Sequence, residues 1–197
     1  DELVKSAGWA PADLDRVVVS QGPGSYTGLR IAVTTAKTLA FTLGIELVGI
    51  SSLGLLATNV TTPGVTIVPV MDARNANLYA GQYELRDGKY VATAPDRHTN
   101  VPDLISQLAE ENQQVVFVGE WARFEEELRQ ALPDAQFASD NLPHAANVLP
   151  LVTDAQVLTD MTDIHQFVPN YYRLSQAEAD WAKAHPDAGD GVYVEKV

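Results

Sequence analysis

A buried strand, a glycine-rich turn and a long, nearly uncharged helix follow one another directly over residues 16–43. The three valines of the strand are typical of buried positions, because β-branched side chains fit a pleated surface. The Gly-Pro-Gly of residues 22–24 combines backbone freedom with a stiff proline, which favours a tight turn. Ser25 or Thr27 is then placed to cap the helix by accepting a hydrogen bond from a free backbone N–H. The rest of the chain is expected to be arranged around this unit.

The helix after the turn carries more apolar surface than one sheet covers. One stripe at helical spacing is wholly apolar and consists of Leu29, Ala32, Val33, Ala36, Leu39, Ala40 and Leu43. A second face is small and only weakly polar and consists of Ile31, Thr34, Thr35, Thr38 and Phe41. A helix on one side of a sheet normally has a charged opposite face, yet only Arg30 and Lys37 carry charge here. Periodicity alone leaves two interpretations open: a central core helix, or a helix whose second face is covered by a partner subunit.

Composition and charge limit the classes of function. With 197 residues and 46% hydrophobic content, the chain can bury a proper core in one large domain or two small lobes. The absence of cysteine excludes disulfides and thiolate metal sites, and it fits a reducing cytosol. No apolar run approaches the roughly 20 residues that a membrane-spanning helix needs, so we expect a cytoplasmic protein. The net charge of −13 argues against direct binding of a phosphate backbone.

The pattern beyond this helix predicts an α/β fold. A second buried strand at 47–50 precedes a short helix capped by Ser51 or Ser52, and this alternation favours a parallel sheet with crossover helices. Thr-Pro-Gly at 62–64 is a turn and the predicted boundary between two lobes. Further strands are predicted at 65–71, 77–85, 90–94 and 115–118. Asp-Gly at 87–88 predicts the tight turn of a hairpin between two of these strands.

The second half of the chain predicts helices separated by loops. These helices are expected at 101–111, 121–132 and 143–158. The third is expected to be interrupted or kinked near Pro150. Residues 160–167 are predicted to be a loop, and proline favours an extended segment over 169–173. Beyond it we expect a tail helix over 175–184 and a mobile end over 187–197.

Three motifs resemble the signature of one family. The sequence Gln-Gly-Pro-Gly-Ser-Tyr-Thr-Gly-Leu-Arg-Ile at 21–31 resembles the first motif of the TsaB (YeaZ) family, bacterial proteins needed for the threonylcarbamoyl-adenosine modification of tRNA. Met-Asp-Ala-Arg at 71–74, followed by Leu-Tyr-Ala-Gly at 78–81, resembles the family's second motif. Pro-Asn-Tyr-Tyr-Arg at 169–173 resembles its C-terminal Pro-x-Tyr-x-Arg. The first motif is long enough to be specific, whereas a bare Gly-x-Gly is a weak signal.

The resemblance implies an actin-like (RNase H-like, ASKHA) fold of two lobes around mixed sheets. The implied division is 1–62 for the first lobe, 63–173 for the second lobe and 174–197 for a C-terminal tail. Family members usually open with an Ile-Asp-Thr-Ser-like strand, a hairpin and a helix that begins His-x-Glu. Residues 1–9 resemble the end of that helix, so the first lobe is expected to be incomplete at its N-terminus.

The resemblance also implies a function exerted through partners. The implied role is a non-catalytic scaffold that binds and supports the catalytic paralogue TsaD, joined by the ATPase TsaE, with tRNA reached only through the complex. The predicted partner interface lies on the helix over 27–43 and consists of Thr27, Arg30, Ile31, Thr34, Thr35, Thr38 and Phe41. Isolated family members pair with themselves through this surface, so we expect a homodimer when the partner is absent.

Residue spacing disfavours other chemistries, so we expect neither a cofactor nor a metal. The glycines at 22, 24 and 28 are one residue off the dinucleotide pattern, and no Gly-Lys-Ser/Thr follows them. A nucleotide-binding enzyme of the sugar-kinase and acetate-kinase fold family nevertheless stays an alternative. The older label of glycoprotein endopeptidase suggests a metal peptidase, but His98, His144, His165 and His185 lack the i, i+4 spacing of helix-borne ligands. A nucleophile elbow at Ser25 would need Gly-x-Ser-x-Gly, which is not present.

A few polar and aromatic residues have two possible roles each. Asp72 and Arg74 could form a local ion pair at a strand end, or Arg74 could reach a partner. Arg30 could cap a carbonyl or bridge to a partner carboxylate. The two tyrosines and the arginine of residues 171–173 are expected to hold the C-terminal segment against the core, because buried aromatic rings are sufficient for that.

Overall fold

The computed structural model describes residues 2–110, 114–153 and 155–172, which form two β-sheets with helices around them. The strands are β1 Arg16–Gly22, β2 Glu46–Ser51, β3 Thr66–Arg74, β4 Asn77–Arg86, β5 Lys89–Asn100, β6 Val115–Gly119, β7 Gln136–Phe137 and β8 Val157–Leu158. The helices are α1 Glu2–Ser6, α2 Tyr26–Leu43, α3 Ser52–Ala57, α4 Val101–Ala109, α5 Glu125–Ala131, α6 Leu149–Val152 and α7 Met161–Gln166. Short 3-10 turns lie at Pro11–Asp13, Ala122–Phe124 and Ala145–Asn147. The predicted α/β class is confirmed.

Both sheets mix parallel and antiparallel strands. The first has the order β1-β2-β8, in which β1 and β2 are parallel, with Val17 opposite Leu47, and β8 runs antiparallel to β2. The second has the order β5-β4-β3-β6-β7, with β3 parallel to β6 and antiparallel to β4. Because α2 connects β1 to the parallel strand β2, it is the crossover helix that the alternation of strands and helices predicted. The β4–β5 hairpin turns at Asp87 and Gly88, which have φ values of 51° and 79°, as the Asp-Gly pair predicted.

The longest described helix, α2, packs one face on the first sheet. The helix begins after Ser25, whose hydroxyl accepts a hydrogen bond from the backbone N–H of Gly28 at 3.4 Å, and it ends at Gly44, whose φ is 68°. Its buried residues are Leu29, Val33, Ala36 and Ala40. Leu39 was predicted in the same apolar stripe, but it is 41% exposed. Its side chain leaves the helix about 90° away from the centre of the buried stripe, so the sheet does not reach it.

The short helix α3 joins the cores of the two sheets. The Ser51 hydroxyl caps it by accepting a hydrogen bond from the backbone N–H of Gly54 at 2.9 Å, which is one of the two predicted caps. Leu53 packs among side chains of β3, β4 and β6 in the second sheet. Leu55 packs against Val48 of the first sheet. Apolar side chains of α3 therefore fill part of the space where the sheets meet, and α6 also contacts both β2 and β5.

Two predicted helices are shorter in the structure than the sequence suggested. The segment 143–158 holds a 3-10 turn, then α6, then β8, so the prediction of one helix there is wrong. Pro150 lies in the first turn of α6, where its missing N–H costs no helical hydrogen bond, so it starts a helix instead of kinking one. The segment 121–132 begins with a 3-10 turn, and only α5 within it is α-helical.

The predicted loop over 160–167 is wrong, because this segment contains α7. Asp160 caps α7 by accepting a hydrogen bond from the backbone N–H of Thr162 at 2.7 Å. Ile164 is buried in the same core as Val33 of α2. One buried residue in a six-residue helix is too weak a periodic signal to predict from sequence, and such a short helix depends on tertiary packing for its stability.

The chain returns to the first sheet after it leaves the second, since β8 pairs with β2. Two expectations stay predictions: the incomplete first lobe, and the division into 1–62, 63–173 and 174–197. The predicted division did not include the return of the chain from the second sheet to the first. Arg173, the tail helix over 175–184 and the mobile end over 187–197 lie outside the described residues. In the part of the chain that the structure describes, no helix combines the length and apolar character needed to cross a bilayer.

Replacing Gly119 by alanine tests how tightly the end of β6 is packed. Gly119 has a φ of 99°, and an added Cβ would come within 2.3 Å of the backbone oxygen of Val70. We expect Gly119→Ala to lower the free energy of unfolding by at least about 3 kcal/mol, since a backbone atom cannot move aside cheaply. Urea unfolding followed by circular dichroism measures the loss.

Gly64→Ala is the matched control, because Gly64 also has a positive φ, of 75°, but has open space around it. Its expected cost is about 1–2 kcal/mol, from backbone conformation alone. Equal losses in the two variants would contradict the close approach of β6 to β3.

Candidate partner interface and adjoining cleft

The second face of α2 is open to solvent along its length. All seven predicted interface residues are exposed, namely Thr27, Arg30, Ile31, Thr34, Thr35, Thr38 and Phe41. The two large apolar side chains among them, Ile31 and Phe41, are 63% and 68% exposed. The described fold therefore leaves this face uncovered, and its role as a partner interface stays a prediction.

The side chains of this exposed face can be buried at a low cost in free energy. The Thr38 hydroxyl donates a hydrogen bond to the backbone oxygen of Thr34 at 2.8 Å, so it needs no further partner if water is removed. Arg30 is the only charged residue among the seven. Since burying unpaired polar groups is the main cost of covering a surface, a face of this composition can be covered with little penalty.

Arg30 forms an aromatic stack with two tyrosines at one end of this face. Its Nη1 donates a hydrogen bond to the Tyr26 hydroxyl at 3.1 Å, and its guanidinium lies 5.2 Å from the centre of the same ring. The Tyr26 ring in turn stacks on the Tyr171 ring, with centres 4.9 Å apart and planes at 28°. The contact seen here is not the predicted carbonyl cap, and the bridge from Arg30 to a partner carboxylate stays a prediction. Tyr26 was missed as a site residue, although its position one turn before Arg30 was the available signal.

The C-terminal segment is held against α2 at several points. Lys37, the other cation of α2, donates hydrogen bonds from Nζ to the backbone oxygens of His165 at 2.5 Å and Phe167 at 2.9 Å. A cation placed at the last carbonyls of a helix also stabilises that helix, here α7. The backbone N–H of Asn170 donates to the backbone oxygen of Gln21 at 2.7 Å. The segment is thus attached to the core, but Tyr171, which is 45% exposed, contributes by stacking on Tyr26 and not by the predicted burial. Lys37 contributes hydrogen bonds that the sequence did not indicate.

A cleft of about 720 Å³ lies between the glycine-rich turn and the turn that connects β3 to β4. Tyr26, Tyr171 and Tyr172 line one side of it. Gly22 is needed at this side, because its φ is 131° and an added Cβ would come within 2.4 Å of the backbone oxygen of Asn170. The glycine-rich turn therefore lets the C-terminal segment approach the core closely.

The opposite wall of the cleft is braced by Asp72. Its Oδ1 accepts a hydrogen bond from the backbone N–H of Arg74 at 2.7 Å, and its Oδ2 pairs with Nη1 of Arg123 at 3.0 Å. Glu120 accepts a hydrogen bond from the backbone N–H of Asp72 at 2.6 Å. The ion pair predicted between Asp72 and Arg74 is corrected to one between Asp72 and Arg123, because the side chain of Asp72 reaches the 3-10 turn that follows β6. Arg74 instead opens a turn in which three consecutive residues have positive φ.

The cleft carries charges of both signs, and the described histidines lie apart from one another. Asp72, Glu120 and Arg74 line the cleft, and Asp72 is paired with Arg123. The described histidines have separate environments: His144 pairs with Asp140 at 2.9 Å, and His98 contacts a tyrosine ring. No group of three histidine or carboxylate side chains in the described part of the chain could hold a metal ion. His185 lies outside the described residues.

Sequence comparison relates the chain to proteins of tRNA modification. The family model described as "TsaD: tRNA N6-adenosine threonylcarbamoyltransferase" matches residues 1–181. The "tRNA threonylcarbamoyladenosine biosynthesis protein TsaB" of Bacillus subtilis is 35% identical over 185 residues, which cover 92% of this chain and 80% of that protein. The protein of the same name from Escherichia coli is 28% identical over 85 residues, which cover 42% of this chain and 37% of that protein.

Comparison with solved structures identifies proteins of similar fold. A crystal structure from Pseudomonas aeruginosa, described as an uncharacterized protein with similarity to peptidase YEAZ, matches with a TM-score of 0.67 and 23% identity over 87% of this chain and 80% of that chain. A second structure, described as YeaZ from Pseudomonas aeruginosa, matches with a TM-score of 0.66 and 22% identity over 86% of this chain and 79% of that chain. Together with the family model, these matches confirm the predicted actin-like fold. Since the family model and the Bacillus subtilis relative both match most of its length, the chain belongs to the TsaB (YeaZ) family.

Proposed function

We propose that this protein is a non-catalytic scaffold subunit in the biosynthesis of threonylcarbamoyl-adenosine in tRNA, and that it binds a TsaD-type catalytic subunit through the exposed face of α2. The names of the TsaB relatives support the pathway. The observation that carries the binding mode is the exposure of Ile31 and Phe41, at 63% and 68%, on an otherwise nearly uncharged helix. Large apolar side chains exposed along one helix face are typical of a protein–protein interface.

The energetics of this face favour a partner helix as the covering element. Burial of Ile31 and Phe41 would contribute about 1.5–3 kcal/mol for each side chain. The threonines between them are small, so a second helix can approach to about 8–10 Å between axes. Arg30 supplies the one charge of the face, and its guanidinium keeps donors beyond the one bonded to Tyr26. A partner carboxylate placed there would fix the register of the two helices.

The charge of the protein supports an indirect role towards tRNA. A net charge of −13 repels the phosphate backbone, so the partner subunit is proposed to hold the tRNA. A TsaE-type ATPase is proposed to join the pair. In the absence of the catalytic subunit, two copies of this chain are proposed to cover each other's α2 face in a symmetric dimer, since one surface patch can meet itself across a two-fold axis.

Substitution of Thr34 and Thr35 tests the proposed interface. Thr34→Arg or Thr35→Glu places a charge in the middle of the face, and burying it without a partner would cost about 3 kcal/mol or more, which corresponds to a loss of affinity above a hundredfold. We expect each variant to lose co-purification with the TsaD-type subunit while its circular dichroism spectrum stays unchanged, because both positions are exposed in the isolated chain.

Gln130→Arg is the matched control, since Gln130 is an exposed residue of α5 on the second sheet's side of the molecule. It should co-purify with the partner as the unmodified chain does. Retention of the complex by both threonine variants would show that this face is not the interface.

Titration calorimetry with ATP and Mg²⁺ tests the non-catalytic role. The isolated chain should give little heat, because the glycine-rich turn lacks one N–H at Pro23 and no Gly-Lys-Ser/Thr follows it. A saturable heat with one site per chain would instead favour the nucleotide-binding enzyme of the same fold.

A further inference from the structure

A carboxylate at the junction of the two sheets has both of its oxygens occupied by hydroxyl donors. Asp96, on β5, accepts a hydrogen bond from the Ser51 hydroxyl at 2.5 Å on Oδ2 and from the Tyr83 hydroxyl at 2.6 Å on Oδ1. The two hydroxyl oxygens are 3.2 Å apart, so the three groups form one closed cluster. Ser51 belongs to the first sheet, whereas Asp96 and Tyr83 belong to the second. The cluster therefore links the sheets directly.

The backbone of the second sheet is shaped to aim Asp96 at Ser51. Between the pairs Ala80–Arg97 and Gln82–Ala94, one residue of β4 faces two residues of β5, so β5 is bulged at Asp96. The single facing residue is Gly81, and an added Cβ there would come within 2.4 Å of the Asp96 Oδ1. A bulge and a glycine together make room for the carboxylate, as expected for a side chain that must point in one direction.

Side chains of β5 form hydrogen bonds near both ends of α3. At the N-terminus of α3, Asp96 orients Ser51, whose oxygen also caps the helix by accepting from Gly54. Just beyond its C-terminus, the Tyr90 hydroxyl of β5 bonds the backbone oxygens of Thr58 and Val60 at 3.2 and 3.1 Å. With Leu53 packed in the core of the second sheet, α3 is attached to that sheet along its length. Since α3 follows β2 directly, a relative movement of the two sheets would bend the chain at the end of β2, next to Ser51.

The carboxylate lies in a half-buried position, and its side-chain hydrogen bonds within the described residues come from two uncharged hydroxyl groups. Burial raises the pKa of Asp96, while the hydrogen bonds from Ser51 and Tyr83 oppose that rise. Burial, followed by the nearby charge of Asp96, also raises the pKa of Tyr172, which lines the cleft. A buried charge costs stability unless it is hydrogen-bonded or paired, so the two hydroxyl donors stabilise Asp96. Because Tyr83 lies on the same sheet as Asp96, only the hydrogen bond from Ser51 depends on the position of the two sheets. This bond therefore depends on the spacing of the sheets at the edge of the cleft.

We propose that the Ser51–Asp96–Tyr83 cluster is a clasp that locks the hinge between the two sheets and sets the opening of the cleft. Loss of the carboxylate releases the end of β2 from β5 while the apolar core around α3 stays intact. The clasp is a property of the isolated chain and does not depend on the proposed partner.

Distance measurement between two spin labels tests the clasp, and the absence of cysteine from the sequence makes specific labelling simple. Thr42→Cys on α2 and Ser106→Cys on α4 place labels at exposed positions on either side of the hinge. The labelled chain is diluted with an excess of unlabelled chain, so that only distances within one molecule are recorded. Asp96→Ala is expected to broaden the distance distribution and shift it to longer values.

Tyr83→Phe is the second variant, because it removes one donor and keeps the ring in the core. It should shift the distribution in the same direction by a smaller amount, and it keeps the test valid if Asp96→Ala does not fold. Thr93→Ala is the matched control, since Thr93 is an exposed residue of the same strand, and it should leave the distribution unchanged. A cluster that merely adds stability would lower the urea midpoint in both variants without altering the native distances. That result would overturn the proposal.

Discussion

The packing of α2 on β1 and β2 is the constraint on which the other features depend. Four side chains of one helix face, Leu29, Val33, Ala36 and Ala40, are buried, and this fixes the helix direction relative to the glycine-rich turn that precedes it. The same placement puts Tyr26 beside Tyr171 and Lys37 beside the end of α7, so the C-terminal segment is attached to α2 as well. It also leaves the opposite face bare. An apolar helix that uses only half of its surface in its own fold has the other half available for a second molecule.

The junction between the two sheets places the walls of the cleft relative to each other. Apolar side chains of α3 fill the junction, and the Asp96 cluster adds contacts that depend strongly on direction. Asp72 and Glu120 brace the far wall. The walls of the cleft are thus held by specific contacts on both sides.

Local signals predicted the elements whose formation depends on few neighbours. The Ser25 cap, the left-handed Gly44 and the Asp87–Gly88 turn each require only a particular backbone conformation, and all three are present. The segments that were predicted wrongly depend on distant contacts. The two-residue strand β8 exists because β2 offers it a free edge, and α7 exists because α2 buries Ile164. Neither condition can be read from the residues of the segment itself.

In the candidate site, too, some features could be predicted from the local sequence and others could not. Helical periodicity was enough to separate the exposed face of α2 from the buried one, with Leu39 as the exception at the edge of the stripe. The pairing of Asp72 with Arg123 could not be predicted, because it requires knowing that β6 lies beside β3. The stack of Tyr26 on Tyr171 and the link of Asp96 to Ser51 likewise join residues that are far apart in the sequence. Contacts of this kind are produced by the fold, and the sequence around each residue gives no signal for them.

Photo-crosslinking in cells tests whether the bare face of α2 contacts the TsaD-type subunit. A photoreactive benzoylphenylalanine in place of Thr35 lies on the bare face of α2, and the same residue in place of Ser106 lies on α4 as a reference. We expect mass spectrometry to find peptides of the TsaD-type subunit crosslinked at position 35 and not at position 106. Crosslinks to that subunit from position 106 alone, or none from position 35 in cells that contain the complex, would contradict it.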